Sequence, residues 1–240
     1  KEKIGFFVNG DYRGLSCDKV FEDLSRIGYE AVEFPYCPEE GAEGLKIRNS
    51  AATAAGLTIS EVVCQRDYVV LEEELRKKNI ETTLSCIRDC AEAGVETVNL
   101  FTGPVPWGPA PLCVGSGIST GDAWNMLYEA FDLLVPEAER CGVNLAVENV
   151  WGHLCHDFFT MEHLVSRYNS QRMGVNFDPS HDLLSGNTDM CFLITAWGKE
   201  RIKHVHLKDA VGVMCRGKFN FPLLGEGLVD WEGFREGLQR

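Results

Sequence analysis

Short apolar runs alternate along this chain with longer stretches in which apolar residues recur at three- and four-residue spacing. A short continuous run bounded by turn residues reads as a buried strand, and the longer period reads as an amphipathic helix. Strands are predicted at Lys3–Val8, Ala31–Phe34, Thr58–Val63, Thr97–Phe101, Asn144–Val150, Met173–Phe177 and Ile202–Leu207. Helices are predicted at Ser16–Ile27, Ile80–Ala93, Gly121–Cys141, Thr160–Asn169 and Asp230–Leu238. The pairs Ile27-Gly28, Ala93-Gly94 and Cys141-Gly142 place glycine where a helix stops before the next strand, the position that favours left-handed backbone. Regular strand–helix alternation implies parallel strands joined by helical crossovers. A doubly wound sheet is the alternative, but no G-x-G-x-x-G follows the first strand. The expected fold is therefore α/β, a (β/α)8 TIM barrel forming one domain over residues 1–240. Its eighth strand is missing from the pattern, so the barrel is expected to be C-terminally incomplete. The Pro-rich stretch Gly103–Pro111 and Gly115–Gly121 read as a long loop after the fourth strand, on the face where barrels keep their working loops.

Side chains alternate across a strand, so outward apolar residues fix which positions face the barrel interior. Leu145 and Val147 facing the helices leave Asn144, Ala146 and Glu148 inward; Val175 and Phe177 leave Gly174, Asn176 and Asp178. Val205 and Leu207 outward leave His204, His206 and Lys208 inward. Three consecutive strands thus bring ionisable groups to their C-terminal ends. Carboxylates buried together are costly without a compensating cation. A divalent metal on Glu148, Asp178 and His206 resolves that cost, and this donor set suits Mn²⁺, Zn²⁺, Co²⁺, Fe²⁺ or Mg²⁺. Each residue also has a plainer reading: Glu148 as a salt-bridged strand end, Asp178 as a helix cap before Pro179, and His204 or His206 as a core histidine. His181 lies beside Asp178 as an acid–base or substrate-binding candidate, or as a simple helix-start residue. Lys208 either binds a substrate oxygen or neutralises a carboxylate. Glu33 is inward by phase and is open between a role in the site and pairing with a lysine.

The formal net charge is −13, which disfavours a nucleic-acid partner and leaves a small molecule as the better expectation. Ten cysteines are scattered singly with no Cys-x-x-Cys pair, and they read as reduced thiols, Cys86 and Cys90 sharing a helix face. No apolar run reaches membrane-span length and no signal peptide is recognisable, so a soluble cytoplasmic protein is expected, with homo-oligomerisation left open.

The segments A-V-E-N-V-W-G-H (146–153), N-F-D-P-S-H (176–181), K-H-V-H-L-K-D (203–209) and L-G-E-G-L-V-D-W (224–231) together resemble the xylose-isomerase-like barrel superfamily of sugar phosphate isomerases and epimerases. The resemblance covers the second half of the chain. It implies metal binding by Glu148, Asp178 and His206, and substrate contact by His181 and by a basic residue after the seventh strand, for which Arg216 is the candidate. It also implies a fourth metal ligand, a glutamate on the eighth strand; Glu226 is a tempting substitute, but in the family pattern it belongs to the turn before the last helix and is not assigned as a ligand. The implied reaction is isomerisation or epimerisation of a ketose or sugar phosphate through an enediolate, with Glu148 as one acid–base group. Trp107, Trp151 and His153 are candidates for a sugar platform, although Trp107 equally suits loop packing. The same superfamily includes inosose dehydratases, hydroxypyruvate isomerases and AP endonucleases. A lyase and a non-catalytic sugar-binding barrel are therefore the alternatives, and the acidic balance argues against a repair nuclease.

Overall fold

The computed structural model describes residues 3–9, 12, 14–108 and 110–240. Pro109, inside the predicted Gly103–Pro111 loop, lies outside the described residues. Seven parallel strands form one sheet in sequence order: β1 (Gly5–Phe7), β2 (Ala31–Pro35), β3 (Thr58–Cys64), β4 (Thr97–Leu100), β5 (Asn144–Glu148), β6 (Met173–Phe177) and β7 (Ile202–Val205). Each pairs with the next, so β1 and β7 are its two edges among the described residues. The connecting helices are α1 (Cys17–Ile27), α2 (Gly41–Ala54), α3 (Glu73–Ala93), α4 (Thr120–Cys141), α5 (Phe158–Val165), α6 (Pro179–Leu184) and α7 (Met190–Arg201). A short antiparallel hairpin, β8 (Val211–Gly212) and β9 (Phe219–Asn220), precedes α8 (Trp231–Gln239). This is the expected parallel barrel with seven strands. Among the described residues, no helix is long and apolar enough to cross a membrane.

Local chemistry accounts for the element ends. Ser16 caps α1 by accepting from Lys19 N–H, Ser119 caps α4 by accepting from Asp122 N–H, and Asp230 caps α8 through Gly233 N–H. Each leaves one fewer orphan donor in the first turn. Gly28, Gly94 and Gly142 end α1, α3 and α4 with φ of 114°, 73° and 72°, as the sequence implied. The core lies between the outer face of the sheet and the helices. Leu127, Phe131 and Leu134 of α4 are fully buried, as are Val98 of β4 and Leu145 and Val147 of β5. Burying such side chains is worth about 1.5–3 kcal/mol each. The ten cysteines are free, with Cys86 and Cys90 buried on one face of α3.

The structure departs from the sequence pattern at several places. Helix α2 was not predicted: its buried face consists of Gly44, Leu45, Ala51 and Ala52, small residues that leave little apolar periodicity. Helix α5 begins at Phe158 rather than Thr160, because Asp157 is its cap and Thr160 completes the reciprocal capping box. Strand β7 stops at Val205, and Leu207 is 49% exposed rather than packed outward against helices. Among the described residues no strand pairs beyond β7, and that flank lacks the cover it would have in the middle of a sheet.

One position shows how closely neighbouring strands approach. A Cβ on Gly174 of β6 would fall on the Arg201 carbonyl and the Lys203 side chain. Backbone on one side cannot yield cheaply. Gly174→Ala is expected to lower stability by about 1–3 kcal/mol through overpacking, measured as a shift in the urea unfolding midpoint. An unchanged midpoint would show that the Arg201 segment moves freely.

Candidate functional site

The C-terminal ends of β5 and β6 and the residues just after β7 converge on one cavity. Glu148 is the last residue of β5, Asp178 follows β6 and caps α6, and His206 follows β7 with its N–H still donating to Phe177 O at 3.1 Å. The strand phase read from sequence therefore extends one step beyond the regular strand. The cavity, about 1540 Å³, is lined by Glu148, Asp178, His181, His204, His206 and Lys208, among others.

Glu148 is 4% exposed. Its Oε1 lies 3.0 Å from His206 Nδ1, and its Oε2 accepts from Asn99 Nδ2 at 3.1 Å. Burial pushes the Glu148 pKa up, but the His206 imidazolium and then the Lys208 ammonium outweigh it and hold it at about 2. For His206, burial favours the neutral ring. Glu148, Glu33 and Glu61 reverse that preference and carry its pKa well above the usual histidine range. Asp178 is fully buried. Its Oδ1 accepts from Ser180 N–H and Oγ, while Oδ2 lies 2.7 Å from Lys208 Nζ and 3.4 Å from His181 Nε2. The capping role and the site role thus fall on different oxygens of one carboxylate. Burial raises its pKa, and the Lys208 and His181 charges overcome that and lower it.

Glu148, Asp178 and His206 can each present a ligand atom within 4.8 Å of the others. Two carboxylates and an imidazole are a suitable donor set for a divalent ion. Asp178 Oδ2 is buried, accepts no well-directed hydrogen bond, and lies against the Lys208 ammonium and the His181 ring. A cation fits that position.

His181 is buried, and its Nδ1 accepts from Trp151 N–H at 3.3 Å while Nε2 lies 2.8 Å from Lys208 Nζ. Burial is the main reason its pKa falls to about 4. Lys208 sits between Asp178 and His181, with its ammonium over the Phe221 ring at 4.6 Å. Trp107 and Trp151 line the cavity with ring centroids 6.2 Å apart. His153 stands behind them: it is buried, packs edge-on against Phe101 at 4.8 Å, and accepts Gly103 N–H through Nδ1. Burial drops its pKa to about 3, so it stays neutral. Arg216 is exposed in the turn between β8 and β9 and is not among the residues lining the cavity. Glu226 is exposed on the turn before α8.

Four residues escaped the sequence reading. Glu61 is fully buried in β3 and pairs in register with Glu33 of β2. Glu33 itself meets His204 and His206 rather than a lysine. Asn99, also fully buried, holds Glu148. In T-I-S-E-V-V-C and T-V-N-L the polar residues Thr58, Ser60 and Thr97 accompany Glu61 and Asn99, so neither stands out locally as an inward polar group. Asp182 accepts from Asn149 Nδ2 and Phe158 N–H, and burial raises its pKa to about 7. Asp209 is a structural anchor, with no signal beyond its place in the K-D pair.

Comparison with known proteins adds the lineage. A probable endonuclease 4 from Sulfurihydrogenibium sp. (strain YO3AOP1) is 24% identical over 176 residues, covering 68% of this chain and 60% of that protein. The chain thus spans about 60% of the length of the curated relatives it matches. The solved 3-keto-D-glucoside 4-epimerase of E. coli superposes with a TM-score of 0.79 at 14% identity, over 100% of this chain and 88% of its own. The IOLI protein, solved with a zinc atom bound, superposes with a TM-score of 0.73 at 16% identity, over 98% of this chain and 85% of its own. At these identities the superpositions establish the fold. The family model of the xylose isomerase-like TIM barrel matches residues 21–240, and this chain belongs to that family.

Proposed function

We propose that residues 1–240 form one barrel domain of a divalent-metal-dependent isomerase or epimerase that acts on a ketose, free or phosphorylated, through an enediolate. The observation that carries this reading is Glu148: a buried carboxylate held ionised on the floor of a tryptophan-lined cavity, beside Asp178 and His206. A divalent cation held by Glu148, Asp178 and His206 would supply electrostatic stabilisation for an enediolate oxyanion. His206 must be neutral at the ligating nitrogen. Glu148 is held ionised in its buried setting, the state from which a general base acts. Glu148 removes the proton beside the substrate carbonyl. One base returning that proton to the adjacent carbon suffices for isomerisation, whereas epimerisation requires a second acid–base group on the opposite face. Lys208 and His181 are placed to bind a hydroxyl or phosphate oxygen, and Trp107 and Trp151 offer apolar faces for a sugar ring. The carbohydrate class is supported by the shared fold with the 3-keto-D-glucoside 4-epimerase. A net charge of −13 weighs against a nucleic-acid substrate.

The test is incubation of Mn²⁺-loaded protein in D₂O with a panel of ketoses and their phosphates. Deuterium should enter the carbon next to the carbonyl while the product otherwise keeps the substrate's composition. Loss of water, seen by mass spectrometry, would redirect the assignment to a dehydratase. No exchange and no product across the panel would sink the proposal and favour a sugar-binding barrel.

A further inference from the structure

One layer deeper in the barrel, a second cluster surrounds the other nitrogen of His206. His206 Nε2 lies 3.2 Å from Glu33 Oε1 and 3.2 Å from Glu61 Oε1. His204 Nε2 lies 3.4 Å from Glu33 Oε2, and its Nδ1 lies 3.6 Å from Glu61 Oε1. The glutamates come from adjacent strands in register, Glu33↔Glu61, and the histidines from alternate positions after and within β7. All four can offer one ligand atom within 4.8 Å of the others.

Hydrogen bonding satisfies only part of this cluster, Glu61 Oε1 accepting from Asn176 Nδ2 at 3.2 Å. Glu33 Oε2 and Glu61 Oε2 are buried with no hydrogen-bond partner, although Glu33 Oε2 points at His204. Glu61 is fully buried and Glu33 is 6% exposed, so bulk water does not compensate them, and unpaired buried carboxylate oxygens are costly. His204 Nδ1 lies 3.3 Å from Asn176 Oδ1, an oxygen that can only accept, so Nδ1 is the nitrogen that carries the proton. In the neutral ring, Nε2 then presents a lone pair to Glu33 Oε2. Two electron-rich atoms facing each other at 3.4 Å need a proton or a metal cation between them.

The spacing has the right scale. Ligands bound at about 2.0–2.1 Å in a tetrahedron sit about 3.3–3.4 Å from one another. His206 Nε2 lies 3.2 Å from Glu33 Oε1 and from Glu61 Oε1, and His204 Nε2 lies 3.4 Å from the other Glu33 oxygen, all near that value and longer than the usual charge-assisted hydrogen bond. Two imidazoles with two carboxylates suit Zn²⁺, Co²⁺, Mn²⁺ or Fe²⁺.

We infer that Glu33, Glu61, His204 and His206 Nε2 form a divalent-cation site of their own, beneath the Glu148–Asp178 site and joined to it through the His206 ring. An ion on each side displaces both ring protons. A single ion on either side leaves a proton on the opposite nitrogen.

Bound-metal analysis after equilibrium dialysis against Zn²⁺ decides the matter, using the wild type, Glu61→Gln, His204→Asn and Glu148→Gln. Circular dichroism confirms that each variant is folded, and Glu61→Gln preserves the buried shape. Two ions per chain are expected in the wild type and one in each variant, with none in Glu61→Gln/Glu148→Gln. Co²⁺ should give the intense visible bands of a tetrahedral site in Glu148→Gln and not in Glu61→Gln. The inference fails if Glu61→Gln and His204→Asn both keep the wild-type metal content, or if a single wild-type ion is lost from all three variants. A single wild-type ion lost from Glu61→Gln and His204→Asn but kept by Glu148→Gln would uphold the deep site. That same outcome would remove the cation from the proposed reaction centre, so the two readings fail separately.

Discussion

Glu148→Gln is expected to lower kcat by about a thousandfold on whichever ketose proves to be the substrate, within the usual contribution of a positioned general base. Gln retains the shape, and its amide oxygen can still accept from Asn99 Nδ2, which now holds Glu148 Oε2 at 3.1 Å. It loses the charge and the basic oxygen. The same change removes one of three candidate ligands at the Glu148–Asp178–His206 cluster, so a drop in metal affinity is expected as well. Measuring kcat at saturating Mn²⁺ separates the two effects: restoring the metal should recover binding but not turnover. Proton exchange with solvent at the carbon beside the carbonyl should fall together with kcat. A kcat within tenfold of wild type at saturating metal would show that another group removes the proton.

Glu148 was legible because β5 is a clean alternation, with Leu145 and Val147 fully buried outward and Glu148 inward. The same logic reached Asp178 and His206, because a side-chain period of two leaves only one inward set once the apolar face is known. It failed for Glu61 for lack of a neighbour. A lone glutamate in β3 acquires meaning only when the register sets it beside Glu33 and the barrel brings His206 across to it. Curling of the sheet joins residues far apart in sequence, and no local period reports such contacts. Arg216 shows how little distance along the chain says about placement. A basic residue at a suggestive distance after β7 lies in an exposed hairpin turn, because Val211 and Phe219 fold the segment back on itself. Helix α2 was hidden for a packing reason, since glycine and alanine can bury a face without producing an apolar stripe.

The second large effect concerns stability. Asp209→Ala is expected to cost about 4 kcal/mol, because hydrogen bonds to a buried charge are worth about 1.5–3 kcal/mol each and several are lost together. Asp209 is fully buried. Its Oδ1 accepts from Ala210 N–H at 2.9 Å and Val229 N–H at 3.1 Å. Its Oδ2 accepts from Gly225 N–H at 2.9 Å, Gly227 N–H at 3.1 Å and Trp231 Nε1–H at 2.9 Å. This explains why K-D at 208–209 and L-G-E-G at 224–227 occur in one chain: a Cβ on Gly227 would collide with the Asp209 carboxylate. Burial raises the Asp209 pKa, but the Trp231 and backbone N–H donors prevail and hold it at about 2, below the ordinary 3.8. A carboxyl with a depressed folded-state pKa stabilises the fold above its unfolded pKa, and that contribution is lost as pH falls through the folded value. The stability gap between wild type and Asp209→Ala, measured by urea unfolding, should therefore be full above about pH 4 and shrink toward pH 2. Asp209→Asn should fall between the two, because one acceptor oxygen remains without the charge. A gap that does not change with pH would mean the carboxylate's charge contributes nothing. A gap below about 1 kcal/mol would mean that water replaces the five donors' partner. Lys208, one residue away, reaches Asp178 and His181 from this clamp, so a loosened turn should also blunt turnover in proportion to the lost order at Lys208.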